Sequence, residues 1–406
     1  MRLRKRAAAL AVGAAVLFLL GTNVEAGWLF VLCALMLGTV LAGVILPRRM
    51  LQGIEVERRP AEEVVQGDET SVELIVTNRA RGVRLGLRLD DPHLAPVSLY
   101  LTKILPGERV ELDTLRIAAK RGVHEGSVVV VRSVAPFGVA ERRRKLPVAG
   151  STTVLPAVLP LEHLPFLGRG SDPQRTARST TRRGGGPEYL GVREYQPGDS
   201  ARHVHWPSTA RTGTIMVREL EEERSRRLAL LVDTLTDVGD TGTPLDTCCT
   251  AAASIARAAV AEGHGIRSIV AAGRNDVEVA DDVEEIAFRR RLAALEPDGT
   301  TFATLVGRAG DALVDVDLAV LVFPTWRSNG DGPLAKLVEE LAETHVRVVA
   351  LMVEVDPGLA KRVATLRTEE IADLASKLTV AGADVYVWSP GSSLGSVLGR
   401  EPAVVA

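Results

Sequence analysis

Residues 27–46 run for twenty positions without a charged side chain, and this constrains the chain more than any other feature. A helix needs about 20 apolar residues to cross a bilayer, so the segment has the length of a membrane span. A second apolar run covers residues 7–20 and reaches spanning length by extending through residues 21–24. Residues 1–6, MRLRKR, are basic, and Arg48 and Arg49 follow the second run almost at once. Positive charge before the first segment and after the second predicts a transmembrane helical hairpin over residues 1–50, with both ends on the cytoplasmic side. A basic start, a short apolar stretch and Val24-Glu25-Ala26 also fit a cleaved signal peptide. The second segment would then stop transfer, and Arg48 and Arg49 would still hold the rest of the chain inside. Both readings place the protein in the cell membrane with its soluble part in the cytoplasm.

The 406 residues leave room for two or three further domains. A formal net charge of -2 argues against a general binder of nucleic acid or other polyanions. Three cysteines, Cys33, Cys248 and Cys249, cannot build a disulfide framework and read as reduced.

From residue 51 to about 160 the pattern changes to short alternating runs. Residues 71–78, 83–91, 109–119 and 126–134 alternate apolar and polar side chains as half-buried strands do. Gln66-Gly67-Asp68, Pro106-Gly107-Glu108 and Pro136-Phe137-Gly138 punctuate them as turns. The expectation is an antiparallel β-sandwich that serves as a spacer or docking platform. Residues 161–186 are rich in Arg, Ser and Gly and read as a linker. After a dense polar segment at 187–222, residues 223–406 alternate near-continuous apolar runs with amphipathic helical ones. That order predicts a doubly wound parallel sheet covered on both faces, so the fold class is α/β plus all-β. Ligands of such sheets bind at the carboxyl ends of the strands.

Residues 187–218 read PEYLGVREYQPGDSARHVHWPSTARTGTIMVR. Glu188-Tyr189, Arg193, Tyr195, Pro197-Gly198-Asp199, Arg202, Trp206, Ala210 and Arg211 stand at the spacing of a known signature. The stretch resembles that of the domain-of-unknown-function family 58. Arg121-Gly122 and Ala135-Pro136-Phe137-Gly138 resemble two further family segments, with Ala135 in place of the usual Asp. If that Asp caps a turn, Gly138 must carry the turn alone. The signature admits two compatible readings. Asp199 and Arg202 could form a buried ion network, with Glu188 as a further counter-ion and Trp206 as packing anchor. Arg211 and Arg218 could face a partner. His205 would hydrogen-bond beside Trp206.

The resemblance implies a von Willebrand factor A-like α/β domain. Such domains hold Mg²⁺ through a D-x-S-x-S loop, a Thr and a later Asp, because Mg²⁺ takes several hard oxygen ligands. Here Asp233 matches, Leu235 cannot ligate, and Asp237 replaces the second Ser. Thr300 or Thr301 could supply the Thr, but Phe323-Pro324-Thr325-Trp326 offers no Asp, so no cofactor is expected. The resemblance also implies partners, a MoxR-type AAA+ ATPase and a transglutaminase-like membrane protein. The function expected is therefore a membrane-anchored, cytoplasm-facing adaptor or assembly protein. The alternatives are a cell-envelope hydrolase using Asp199, Arg202 and His205, and an Mg²⁺-dependent protein-binding module. No nucleophile is paired with a base and an orienting group, which weighs against catalysis. His203 and His205 lack further zinc ligands nearby, and Cys249 with His264 lacks a third residue to orient the base.

Overall fold

The computed structural model describes residues 2–3, 5–167, 188–196, 204–221, 226–234, 244–271, 277–297, 305, 307, 313, 316–325, 332–344, 346–354, 361–400 and 402. They form two compact units, Met1–Leu155 and Pro156–Ala406.

In the first unit the two apolar runs fold as helices α1 (Lys5–Val24) and α2 (Gly27–Met50). Both are long and apolar enough to cross a membrane. They lie against each other where side chains are small. A Cβ placed on Gly21 would stand 3.3 Å from Leu29 and Phe30, and one on Gly13 would stand 3.4 Å from Met36 Sδ. Small residues of this kind let helix backbones approach closely.

The β part of this unit comprises β1 (Arg2–Leu3), β2 (Ile54–Pro60), β3 (Glu63–Val65), β4 (Glu69–Asn78), β5 (Arg84–Asp91), β6 (Val97–Ile104), β7 (Arg109–Ile117), β8 (Gly122–His124), β9 (Ser127–Ser133), β10 (Ala140–Val148) and β11 (Thr152–Leu155). A sheet ordered β1-β10-β9-β5-β6 and a sheet ordered β2-β4-β7 share a core that includes Ile54, Val76, Leu87, Leu89, Val129 and Val131. Strands β5 and β9 bury every second residue, Leu87, Leu89 and Asp91 in one and Val129, Val131 and Ser133 in the other, as a sandwich face requires. Every strand pair in these two sheets is antiparallel. In a third small sheet β11 pairs parallel with β3 and antiparallel with β8. Nearly the whole sandwich separates β3 from β11 in sequence, so no hairpin dictates their direction. The turn before β10 differs from expectation. Gly138, at φ 66°, donates its N–H to Val134 O at 2.8 Å. It does not hold the turn alone, because Ser133 Oγ accepts from Ala135 N at 3.3 Å.

In the second unit, residues 156–167, assigned from sequence to the end of the sandwich and the start of the linker, pack onto the α/β core instead. Leu164, Phe166 and Leu167 are buried there, while Leu159 N donates to Ser254 Oγ and Leu164 N to Glu262 Oε1. These apolar side chains gain more from burial than a solvated connector would. The rest of the expected linker, residues 168–186, lies outside the described residues.

Next come β12 (Glu188–Glu194), α3 (Trp206–Thr212) and β13 (Met216–Glu221), followed by the α/β core. Its strands are β14 (Arg227–Val232), β15 (Gly265–Ala271), β16 (Val277–Ala280), β17 (Leu318–Pro324), β18 (Arg347–Val353) and β19 (Ala383–Trp388). Its helices are α4 (Pro244–Ala261), α5 (Glu285–Ala294), α6 (Gly332–Glu343), α7 (Lys361–Val380) and α8 (Leu394–Leu398). The sheet order is β16-β15-β14-β17-β18-β19. All pairs are parallel except β15 with β16, which corrects the expected wholly parallel sheet. Only residues 272–276 separate β15 from β16, too few for the crossover a parallel pair needs. Strands β17 and β18 are buried almost throughout, which explains their unbroken apolar sequences. Helix α4 buries Leu245, Cys248, Cys249, Ala252, Ile255 and Ala256 among others, as a core helix does.

Candidate functional site

The signature builds a β-ribbon with one short helix. Strands β12 and β13 pair antiparallel, with Arg193 opposite Val217 and a register shift between Tyr189 and Gly191. A two-stranded ribbon is marginal by itself, so its ends need other support. Here α3 supplies it. Thr209 Oγ1 accepts from Met216 N at 3.0 Å and donates to His205 O at 3.1 Å, and His205 N donates to Met216 O at 2.8 Å. The helix stops at Gly213, whose φ of 75° suits a residue without a Cβ. Sequence reading missed Thr209. Its sole signal was a hydroxyl three residues into a helix that begins with Trp206-Pro207.

This arrangement turns large side chains outward. Trp206 is 70% exposed, Ile215 52% and Tyr195 42%. The expectation that Trp206 anchors a buried network is therefore corrected. As the first residue of a seven-residue helix it finds no surrounding core, since α3 buries no residue at all. Backbone hydrogen bonds bring the three positions together: Tyr195 N donates to Ile215 O at 2.8 Å, and His205, next to Trp206, bonds to Met216, next to Ile215. Arg211 is exposed in the last turn of α3. Arg193 is half-buried and donates through Nη1 to Glu194 O at 3.2 Å. His205 Nδ1, next to Trp206 in the chain, shares a hydrogen bond of 2.8 Å with Ser208 Oγ. Glu188 and Arg218 occupy described backbone positions in β12 and β13. Gly198, Asp199, Arg202 and His203 lie outside the described residues. Of the hydrolase trio, then, only His205 is described.

In the α/β core, strand order reverses between β14 and β17, which creates a switch point at their carboxyl ends. Asp233 and Thr234 follow β14 there and are buried, and Asp233 N donates to Val322 O at 3.0 Å. Asp246, buried in the first turn of α4, is a second acid that sequence reading passed over. Asp237 and Thr300 lie outside the described residues. Among the described residues no group of three His, Cys, Asp or Glu could hold a metal ion. Cys249 is buried with Sγ 3.9 Å from Leu292 O, and His264 Nδ1 accepts from Arg226 N at 3.2 Å.

The first unit contains an ion cluster that alternation of strands did not reveal. Arg58 donates through Nε to Asp91 Oδ2 at 3.2 Å and through Nη2 to Oδ1, and Arg116 Nη2 lies 2.9 Å from Oδ2. All three side chains are inaccessible to solvent. Arg116 Nη1 also donates to His93 O at 2.7 Å, and His93 N donates to Asp91 Oδ1 at 3.2 Å. Thr152 Oγ1 gives its proton to Ala61 O, so it accepts from His93 Nε2 at 3.1 Å. Burial, and next the Arg58 guanidinium, push the His93 pKa down from 6.5 to about 4; Asp91 opposes this, while Arg116 and His124 reinforce it.

An imidazole held neutral this way makes stability depend on pH. Between pH 6.5 and about 4 the unfolded chain binds a proton at residue 93 that the folded protein refuses. Its contribution is therefore complete above pH 6.5 and is lost as pH falls through that window, by up to ~3 kcal/mol. Thermal melting of the detergent-solubilised chain against pH should show a shallower acid slope for His93→Gln than for the wild type. Superimposable slopes would assign the acid sensitivity to other groups.

No curated protein matches the chain. Among solved structures it is similar to a β-glucosidase from Listeria innocua at 18% identity and a TM-score of 0.13, over 25% of this chain and 16% of that one. It is also similar to the exo β-N-acetylglucosaminidase from Vibrio harveyi in complex with N-acetylglucosamine, at 9% identity and a TM-score of 0.20. That match covers 84% of this chain and 82% of the other. The alkylpurine DNA glycosylase AlkC from Pseudomonas fluorescens, bound to DNA containing an abasic site analog, matches at 9% identity and a TM-score of 0.16, over 33% and 40% of the two chains. At these TM-scores none of the three bears on fold or activity. The informative match is to a family model. Residues 191–315, from within β12 to the approach to β17, fit the model described as Protein of unknown function DUF58, the family whose signature the segment at 187–218 resembles.

Proposed function

We propose that this protein is a membrane-anchored, cytoplasm-facing adaptor or assembly protein whose ribbon and α3 dock a partner protein, a MoxR-type AAA+ ATPase. The observation that carries the reading is the exposure of Trp206 beside Tyr195 and Ile215, with Arg211 on the same short helix. Trp, Tyr and Arg are the residues that most often anchor protein interfaces. A signature that spends its aromatic residues on the surface fits recognition better than packing. The choice of an AAA+ partner rests on the family resemblance alone.

The membrane part of the proposal is supported by the hairpin. Val12, Leu19, Trp28, Val31, Leu35 and Leu41 are exposed on α1 and α2, an apolar surface too extensive for water. Basic residues at 2–6 and 48–49 favour the cytoplasm for both ends. The switch point and the antiparallel edge at β16 support reading the α/β core as von Willebrand factor A-like, used for docking.

The test is affinity purification of the full-length protein from its native membrane, comparing wild type with Arg211→Glu. A planar guanidinium pairs well with carboxylates, and reversing its charge in an interface introduces repulsion. Arg211 is exposed, so the variant should melt within ~0.5 kcal/mol of the wild type. It should lose the AAA+ ATPase that the wild type recovers. Absence of any AAA+ ATPase from the wild-type eluate would remove the proposed partner; equal recovery by both would remove Arg211 from the interface.

A further inference from the structure

We infer that the loop at residues 136–139 is a further membrane contact, seating Phe137 at the boundary between acyl chains and headgroups beside the base of the hairpin. This rests on the reading of α1 and α2 as membrane spans. The argument is one of depth. Val139 is buried against Gly43, where a Cβ on the glycine would fall 2.7 Å from the valine Cβ. Gly43 belongs to the charge-free run at 27–46, and sixteen residues of helix separate it from Gly27, about 24 Å of rise. The hydrocarbon core of a bilayer is about 30 Å thick. A side chain that touches Gly43 therefore lies at or just inside the edge of the hydrocarbon.

The first helix gives the same level independently. Gly13 faces Met36 and Gly21 faces Leu29 and Phe30, an antiparallel register that brings Arg6 and Ala7 level with Gly43. Arg6 is the last charge before the apolar run, so it marks the headgroup plane. Its Nη1 would stand 3.4 Å from a Cβ on Gly138. Strand β1 fastens the loop there, with Leu3 opposite Ala140 and Arg2 opposite Glu141. The loop is thus tied to the hairpin base from both helices. Phe137 precedes Gly138 and Val139 in this loop and is 47% exposed. An aromatic ring at this depth has the apolar body and position that membrane interfaces favour. The sandwich would then sit on the bilayer in a fixed pose and not swing from a tether. Two further bonds stiffen the junction: Arg144 Nη1 donates to Leu51 O at 3.2 Å and Arg84 Nε to Gln52 O at 3.0 Å.

The experiment places tryptophan at the loop in the full-length chain. Phe137→Trp is reconstituted into phosphatidylcholine vesicles whose acyl chains are brominated close to the headgroup. The emission added by the new tryptophan should be largely lost, relative to unbrominated vesicles. Ile117→Trp serves as the distant control, since Ile117 pairs with Glu69 at the end of β4 opposite to Asn78 and Ile54, about 30 Å along the strand. Its added emission should persist. Native Trp28 reports on the hairpin itself, read as the difference between wild type and Trp28→Phe. Quenching of Trp28 with full emission from residue 137 would overturn the loop contact and leave the membrane spans standing. Full emission from both would overturn the spans and the loop contact together. A nitroxide on Phe137→Cys gives a second reading of depth: collision with dissolved oxygen should exceed collision with a water-soluble nickel chelate, and the reverse order would overturn the inference.

Discussion

Replacing Asp91 with alanine is expected to lower the stability of the first unit by about 3–5 kcal/mol, the range for breaking a buried ion pair by removing one partner. Asp91 lies between two guanidinium groups, Arg58 and Arg116, and none of the three side chains touches solvent. Its carboxylate also accepts from His93 N. Removal leaves two positive charges in a sandwich interior with neither a counter-ion nor water to replace it, and like charges repel strongly at low dielectric. The cluster is not inherently stabilising, because desolvating three charges is expensive; an apolar replacement of all three could be nearly neutral. It is the broken cluster that costs. The surface pair Arg59–Glu73, at 3.5 Å with the arginine largely exposed, is the natural comparison, and Arg59→Ala should cost under ~1 kcal/mol. Denaturant unfolding of the detergent-solubilised chain measures both. A loss for Asp91→Ala no greater than that for Arg59→Ala would show that water reaches the cluster.

Trp206→Ala should weaken binding of the proposed AAA+ partner by ~2 kcal/mol or more, about thirtyfold in affinity, while leaving the melting transition in place. The two halves of this prediction belong together. A tryptophan buried in a core costs about 3–5 kcal/mol when truncated. One that is 70% exposed on a helix with no buried residue should change stability by only ~0.5 kcal/mol. An interface would give the large indole a partner surface that the monomer lacks. Calorimetric titration of partner into wild type and variant, with melting measured on the same samples, separates the cases. A lowered melting temperature with unchanged affinity would return Trp206 to the role of packing anchor.

Much of the fold was legible because apolar periodicity records burial. The uncharged runs at 7–20 and 27–46 became α1 and α2, and the alternating runs at 71–78 and 126–134 became β4 and β9. The continuous runs that became β14, β17 and β18 carry no polar face, since both sides of that sheet are covered. Where the pattern was silent, a local reason is visible. Strand β10 carries Glu141, Arg142, Arg143, Arg144 and Lys145 in succession and is buried only at its two ends, so its sequence shows no apolar alternation. Strand β16 has four residues, too few to display a period.

The sequence by itself determined which segments are apolar enough to leave water, where the signature lies, and that the three cysteines form no framework. It could not determine what the signature does, because its charged and aromatic residues fit a buried network and an exposed surface equally well. Whether Trp206 is covered is a matter of tertiary contacts that no local pattern encodes, and among the described residues it stands 70% exposed. The buried cluster is the converse case. Arg58, Asp91 and Arg116 sit on three strands remote in sequence, each resembling an ordinary surface charge. Pairing of β2 with β4 and of β4 with β7, and the facing of that sheet by β5, bring them together. A charge can be buried only when its partner arrives from elsewhere in the chain, and no local pattern encodes that arrival.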